Sequence, residues 1–237
     1  MKRVVISQPM VFPWVGLFEQ VRLAGDFVHY DDVALPQGRS FITRVQIKTA
    51  QGPQWLTIPV RRGASLIKDV LIDDAQDWRR RHLGTLRQAY AHAPHAAEMI
   101  DLVESVYGRG FRYLSELNAH AIERIAGYLG LAPRFLLSSQ LPAQGRSTER
   151  LISICLELGA SIYVTGHGAR NYLDHASFEQ AGISVEYMNY QKKPYPQLHG
   201  EFTPYVSILD LIANVGRGGA GLVCSGTQHW RDVVDGS

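Results

Sequence analysis

Cysteine is nearly absent from this chain: Cys155 and Cys224 are the only two in 237 residues. Neither has a C-x-x-C partner, so the spacing supports neither a zinc site nor a disulfide framework and points to a reducing compartment. Charge of one sign is lacking too. Lys and Arg number 24 against 22 Asp and Glu, and a net charge of +2 is too small to build a nucleic-acid-binding face. The densest basic cluster, Arg79, Arg80 and Arg81, reads equally as a solvated helix face or an anion contact. Long apolar runs are missing as well. Pro9 and Pro13 break the N-terminal apolar segment and no small-residue cleavage site follows, so it reads as neither signal peptide nor membrane span. The expectation is a cytoplasmic protein with no nucleic acid and no membrane among its partners. Neither a phosphate-binding Walker loop nor a dinucleotide fingerprint is present.

What is present is a core-forming composition, 46% hydrophobic and 19% charged, laid out in alternating strand and helix patterns. "RVVIS" predicts a first strand, "GLFEQVRLAGD" a short helix, and "FVHYDDVAL" a second strand. "FITRVQIKT" and "QWLTIPV", around a Gly52-Pro53 turn, predict a β-hairpin. "IKDVLID" reads as a further strand. Three helices follow, opening at Asp77, His95 and Arg112. "RFLLSSQL" is the next strand. "STERLISICLELG" is a helix whose cap would be Ser147 or Thr148. "GISVEYMNY" is a strand, "VSILDLIANVG" a helix, and the glycine-rich tail from Gly218 is expected to be loose. The strand–helix–strand order implies an α/β fold, a mostly parallel sheet of nucleotide-binding-like βαβ units, with the hairpin and an inserted helical block at about 76–131. The domain is placed at 1–217 and the tail at 218–237.

In open parallel sheets ligands bind beyond the carboxyl ends of strands, which directs attention to three loops: 8–16, 138–148 and 165–169. In the last, "VTGHGARNYL", a buried strand ends in Thr165, Gly166, His167 and Gly168. Glycines let backbone N–H groups approach a ligand, and a helix start behind them, read over 170–173, favours an anion. A tight structural connection explains the same residues equally well. His167 is a candidate general base, and Arg44 and Arg170 are candidates to neutralise charge. Asp32 ends the second strand, where a sugar hydroxyl or Mg²⁺ is one reading and solvent the other.

Several stretches in order, "QPMVFPWVGLFEQVRLAGD", "QWLTIPV", "WRRRHLGTLRQAYAHAP", "YVTGHGARNYLD" and "YPQLHGEFTPYVSILDLIANVG", together resemble the WbqC-like family of bacterial proteins. Val11 stands where that pattern commonly has Tyr. The resemblance implies a protein of surface-polysaccharide or secondary-metabolite pathways. It marks, by position alone, Gln8, Pro9, Pro13 and Gly16; Asp32 and Arg44; His82 and Tyr90; Gly166, Gly168 and Tyr172; and Gln197, Ser207 and Asp210. The leading expectation is an enzyme of amide or ester formation or acyl transfer on an amino sugar or small amine, with His82 or His167 moving a proton. "GARNYL" is similar to the phosphate-side segment of pantothenate synthetases, which leaves ATP with Mg²⁺ open; a carrier-bound acyl group would need neither. The other readings are a non-catalytic module binding a nucleotide-sugar or a pathway enzyme, and an oligomer whose role is its own surface.

Overall fold

The computed structural model describes residues 1–36 and 40–234. Its centre is a six-stranded sheet in the order β5-β2-β1-β6-β7-β8. The strands are β1 (Arg3–Ser7), β2 (Asp26–His29), β5 (Arg134–Leu137), β6 (Ile162–Thr165), β7 (Ser184–Asn189) and β8 (Gly226–His229). All neighbours run parallel except β8, which pairs antiparallel with β7. Short β-branched runs such as "RVVIS" and "IYVT" are apolar at consecutive positions because both faces of a parallel sheet are covered. Alternation then sorts the faces. Val5, Phe27 and Val164 join one core with α1 (Val15–Leu23) and the helical block. Val4, Ile6, Val28 and Tyr163 join a second core with α5 (Ser147–Glu157) and α6 (His175–Gln180).

The helical block is α2 (Trp78–Ala89), α3 (Ala96–Tyr107) and α4 (Leu114–Tyr128), against which α7 (Ile208–Val215) packs. A separate hairpin pairs β3 (Arg44–Thr49) with β4 (Gly52–Thr57). Its two-residue turn is Ala50 and Gln51; the expected Gly52-Pro53 turn instead opens the second strand, with Gly52 at φ +100° and the Thr49 hydroxyl donating to its carbonyl.

Four other expectations are corrected. The second strand stops at His29, because 31–35 leaves the sheet to bond with 65–68. "IKDVLID" is a short 3-10 turn, Ile67–Asp69, followed by isolated bridges from Leu71 to Tyr113 and Ile72 to Val60. Neither Ser147 nor Thr148 caps α5: Arg146 precedes the helix without a side-chain cap, and Ser147 sits in its first turn at φ +49°. The tail is not loose up to Val234. It forms a 3-10 segment, the edge strand β8 and α8 (Trp230–Val234). Strand pairing with β7 outweighs its glycine content, a tertiary gain that local composition does not report.

Candidate functional site

The connection after β1 leads to β2 on one side, whereas β6 and β7 continue on the other. The crevice between the carboxyl ends of β1 and β6 is therefore the point where strand order reverses, the usual ligand position in this architecture. A cleft of about 380 Å³ lies there, within the range of small-molecule sites. Gln8 and Met10 enter it from the loop after β1, Gln20 from α1, Tyr30 from the end of β2, Ser147 from the start of α5, and Thr165, Gly166, Gly168 and Tyr172 from the turn after β6. Of the residues picked from sequence, Gln8, Thr165, Gly166, Gly168 and Tyr172 thus meet in one place.

The turn itself differs from expectation. No α-helix stands directly behind it. His167–Asn171 is a 3-10 turn, and α6 begins at His175, capped by the Asp174 carboxylate accepting from Ser177 N at 3.1 Å. The helix-dipole part of the anion argument falls accordingly. The N–H groups of Gly166, His167 and Gly168 remain, with no backbone acceptor among the described residues, as the leading donors of a helical turn must. His167 is exposed and stacks on Tyr187, ring centroids 5.7 Å apart. The Tyr187 hydroxyl is held by His175 Nε2 at 2.8 Å. Arg170 reaches away from the cleft to the carbonyl of Val233, 2.7 Å.

Polar groups around the cleft keep their protons. Burial raises the Tyr30 phenol above its ordinary pKa, with the Asp32 carboxylate adding to the effect, and burial raises Tyr172 also. Both therefore act as hydrogen-bond donors at neutral pH. Asp32 does not line the cleft: it pairs with Arg150 at 2.7 Å and accepts from the Ser138 hydroxyl. Asp31, buried, takes Ser139 N and the Ser138 and Ser139 hydroxyls. Among the described residues no group of three or more His, Cys, Asp or Glu side chains is gathered to hold a metal.

The remaining predicted residues lie elsewhere. His82 is buried in α2, its Nε2 donating to Thr57 O and its Nδ1 accepting from the Tyr107 hydroxyl, both at 3.0 Å. Desolvation lowers its pKa to about 4, so it is a neutral staple between α2, β4 and α3. Arg44 lies over the Trp55 ring at 4.4 Å on the hairpin. Gly16 gives room to the Trp14 indole, which a Cβ would strike, and Pro13 O accepts from Ile208 N. The Ser207 hydroxyl donates to Phe12 O at 2.7 Å and accepts from Leu209 N to cap α7.

Tyr90, Gln197 and Asp210 form a second polar group, and it is closed. Asp210, with 0% of its surface exposed, accepts from the Tyr90 and Tyr195 hydroxyls, each at 3.0 Å. Lys48, 5% exposed, donates from Nζ to Gln197 Oε1, Gly200 O and Glu201 O. Gln197 Nε2 returns to Tyr195 Oη at 2.9 Å. Burial raises the Asp210 carboxyl above its ordinary range, opposed by the two phenols and by Lys48. Sequence reading missed Lys48, Gln20 and Tyr30; alternation on β3 sets Lys48 on the face opposite Val45 and Ile47, yet it is buried beneath the 197–201 segment that accepts its hydrogen bonds.

A family model for the WbqC-like protein family matches residues 8–220. The chain belongs to that family. The WbqC-like chain is also 38% identical over 221 residues to a protein of Mycobacterium tuberculosis (strain ATCC 25618 / H37Rv) described as "Uncharacterized protein Rv1507c", covering 91% of this chain and 95% of the relative. No solved structure matches it. The matched span contains the closed polar group and the cleft lining apart from Ile6 and Ser7. Among the described residues no helix is long and apolar enough to cross a membrane.

Proposed function

We propose that this WbqC-like protein is a biosynthetic enzyme that forms an amide or ester on an amino sugar or small amine, with the reacting groups held in the switch-point cleft. The observation that carries this reading is the meeting of the 8–16 loop and the 165–172 turn in one cleft where strand order reverses. In acyl transfer an amine nitrogen attacks the carbonyl carbon of an activated acyl group. A C–N bond forms while negative charge gathers on the carbonyl oxygen. The bond to the leaving thiol or phosphate then breaks, and the proton lost by nitrogen passes to the leaving group. The Gly166, His167 and Gly168 N–H groups would hold the oxygen, a task suited to fixed backbone donors. His167, exposed in the same turn and stacked on Tyr187, stands between cleft-lining Gly166 and Gly168 without lining the cleft itself, and would carry the proton at its edge. Asp31 and Asp32, which follow cleft-lining Tyr30, are engaged by Ser138, Ser139 and Arg150, and the step as written needs no metal.

One observation favours the second reading, a non-catalytic module for a nucleotide-sugar. The side chains lining the cleft are amides, hydroxyls and apolar groups, none of them charged. Two measurements separate the readings. Thermal shift against ATP, nucleotide-sugars and acyl-coenzyme A identifies the ligand, since binding to the folded state raises Tm. Mass-spectrometric assay of acyl transfer to amines then compares His167→Ala with the parent. Binding retained with product lost supports the enzyme; binding with no product from either protein supports the module.

A further inference from the structure

Gly166 lines the cleft at φ −90°, a conformation open to any residue, so the turn itself does not require glycine there. Its nearest side-chain neighbour is Gln20: a Cβ on residue 166 would stand 3.0 Å from Gln20 Nε2, a tight contact that the carboxamide would relieve only by shifting a few tenths of an ångström. Gln20 also lines the cleft, and its carboxamide has no hydrogen-bond partner among the described residues. Its helix neighbour Glu19, by contrast, is fully buried and paired with Arg22 at 2.7 Å. The amide therefore presents one donor and one acceptor edge to the cleft from α1, beside the 166–168 turn. Gln8 offers a second free carboxamide. Asp32, two residues beyond cleft-lining Tyr30, is turned to Arg150.

Resting on the cleft reading above, the geometry points to Gln20 as the specificity-determining residue of the site, its carboxamide reading a neutral hydroxyl- or acylamino-bearing ring, the sugar part of a nucleotide-sugar. A carboxamide gives and accepts at once, which matches vicinal hydroxyls or an acylamino group and discriminates against ligands that lack them. Gly166 is the positioning residue that makes room for it.

The test uses the full chain and three probes: uridine diphosphate N-acetylglucosamine, uridine diphosphate and ATP. Binding is followed through the backbone amide signals of Gly166 and Gly168 by NMR, with the remaining spectrum and Tm reporting the fold. Gln20→Leu should weaken the sugar nucleotide about tenfold, the scale of one well-placed hydrogen bond left unmade, and change uridine diphosphate by less than about twofold. Gly166→Ala should weaken the sugar nucleotide similarly by pushing the amide aside, and should add little in the Gln20→Leu background, because the two act on one contact. Unchanged sugar-nucleotide affinity in Gln20→Leu overturns the inference and leaves the cleft reading standing, as does equal weakening of both uridine ligands. Silence of the Gly166 and Gly168 signals toward all three probes overturns the cleft reading and this inference with it.

Discussion

The switch-point cleft and the closed group around Asp210 both use tyrosine and glutamine; the cleft adds serine and threonine, the closed group a carboxylate and an ammonium. They differ in how their hydrogen bonds are satisfied. In the closed group each polar side chain points at another: two phenols at one carboxylate, one ammonium at three oxygens. In the cleft, Gln8, Gln20 and the leading N–H groups of the 166–168 segment have no partner among the described residues. A buried network that is complete holds structure together, because each group left unmatched in a low dielectric is costly. An incomplete one beside solvent is available to a ligand. The closed group accordingly explains how the connection 190–206 is fastened to β3 and the end of α2, and the open one is the site of the function proposed above.

Substitutions in the two regions should therefore behave in opposite ways. The largest effect is expected at Asp210. Asp210→Ala strands the Tyr90 and Tyr195 hydroxyls and removes a carboxylate near the buried Lys48 ammonium, and should lower unfolding stability by about 3–5 kcal/mol in urea titration. A loss below about 1 kcal/mol would show that the closed group is not a structural unit. His82 gives the next effect and a pH signature. Its folded pKa is depressed, from 6.5 to about 4, by burial, so the unfolded chain binds the proton more readily. Stability is full above pH 6.5 and is lost as pH falls from 6.5 toward 4, by about 3 kcal/mol in all. Comparing chemical denaturation at pH 7 and pH 4.5 should show this loss in the parent and much less of it in His82→Gln. Lys48→Met should cost about 2 kcal/mol, and in a double-mutant cycle with Asp210→Asn the two should couple by about 1 kcal/mol; strict additivity would mean the ammonium and carboxylate hold separate contacts. Smallest in stability are the cleft changes. Tyr30→Phe and Thr165→Val should shift Tm little, within about 0.5 kcal/mol of stability, while weakening whichever ligand the thermal-shift screen identifies. Large destabilisation by either would erase the contrast between the two regions.

Much of the fold was legible in short runs. "RVVIS" and "IYVT" carry the apolar continuity of covered parallel strands, "SVEYMN" reads as a strand too, and the helical spacing of Trp78, Leu83, Leu86 and Tyr90 marks α2. The errors cluster where long-range pairing decides. Residues 226–229 read as a loose tail because nothing local shows that β7 has a free edge. "IKDVLID" read as a strand because its alternation is real, yet its partners are isolated bridges. For the site, Gln8, Thr165, Gly166, Gly168 and Tyr172 were found by their place at strand ends. Tyr90, Gln197 and Asp210 were grouped with them by resemblance, although they build the closed cluster, and His82 was taken for a proton carrier although both of its ring nitrogens are bonded within the core.

The sequence alone determined the alternation of strand and helix, the covered parallel sheet, and the loops that gather at its carboxyl pole. These follow from periodicity and backbone preference, which act within a few residues. Only the tertiary structure decided which polar side chains are spent on one another and which are left for a ligand, because hydrogen-bond satisfaction is a property of groups brought together from distant parts of the chain.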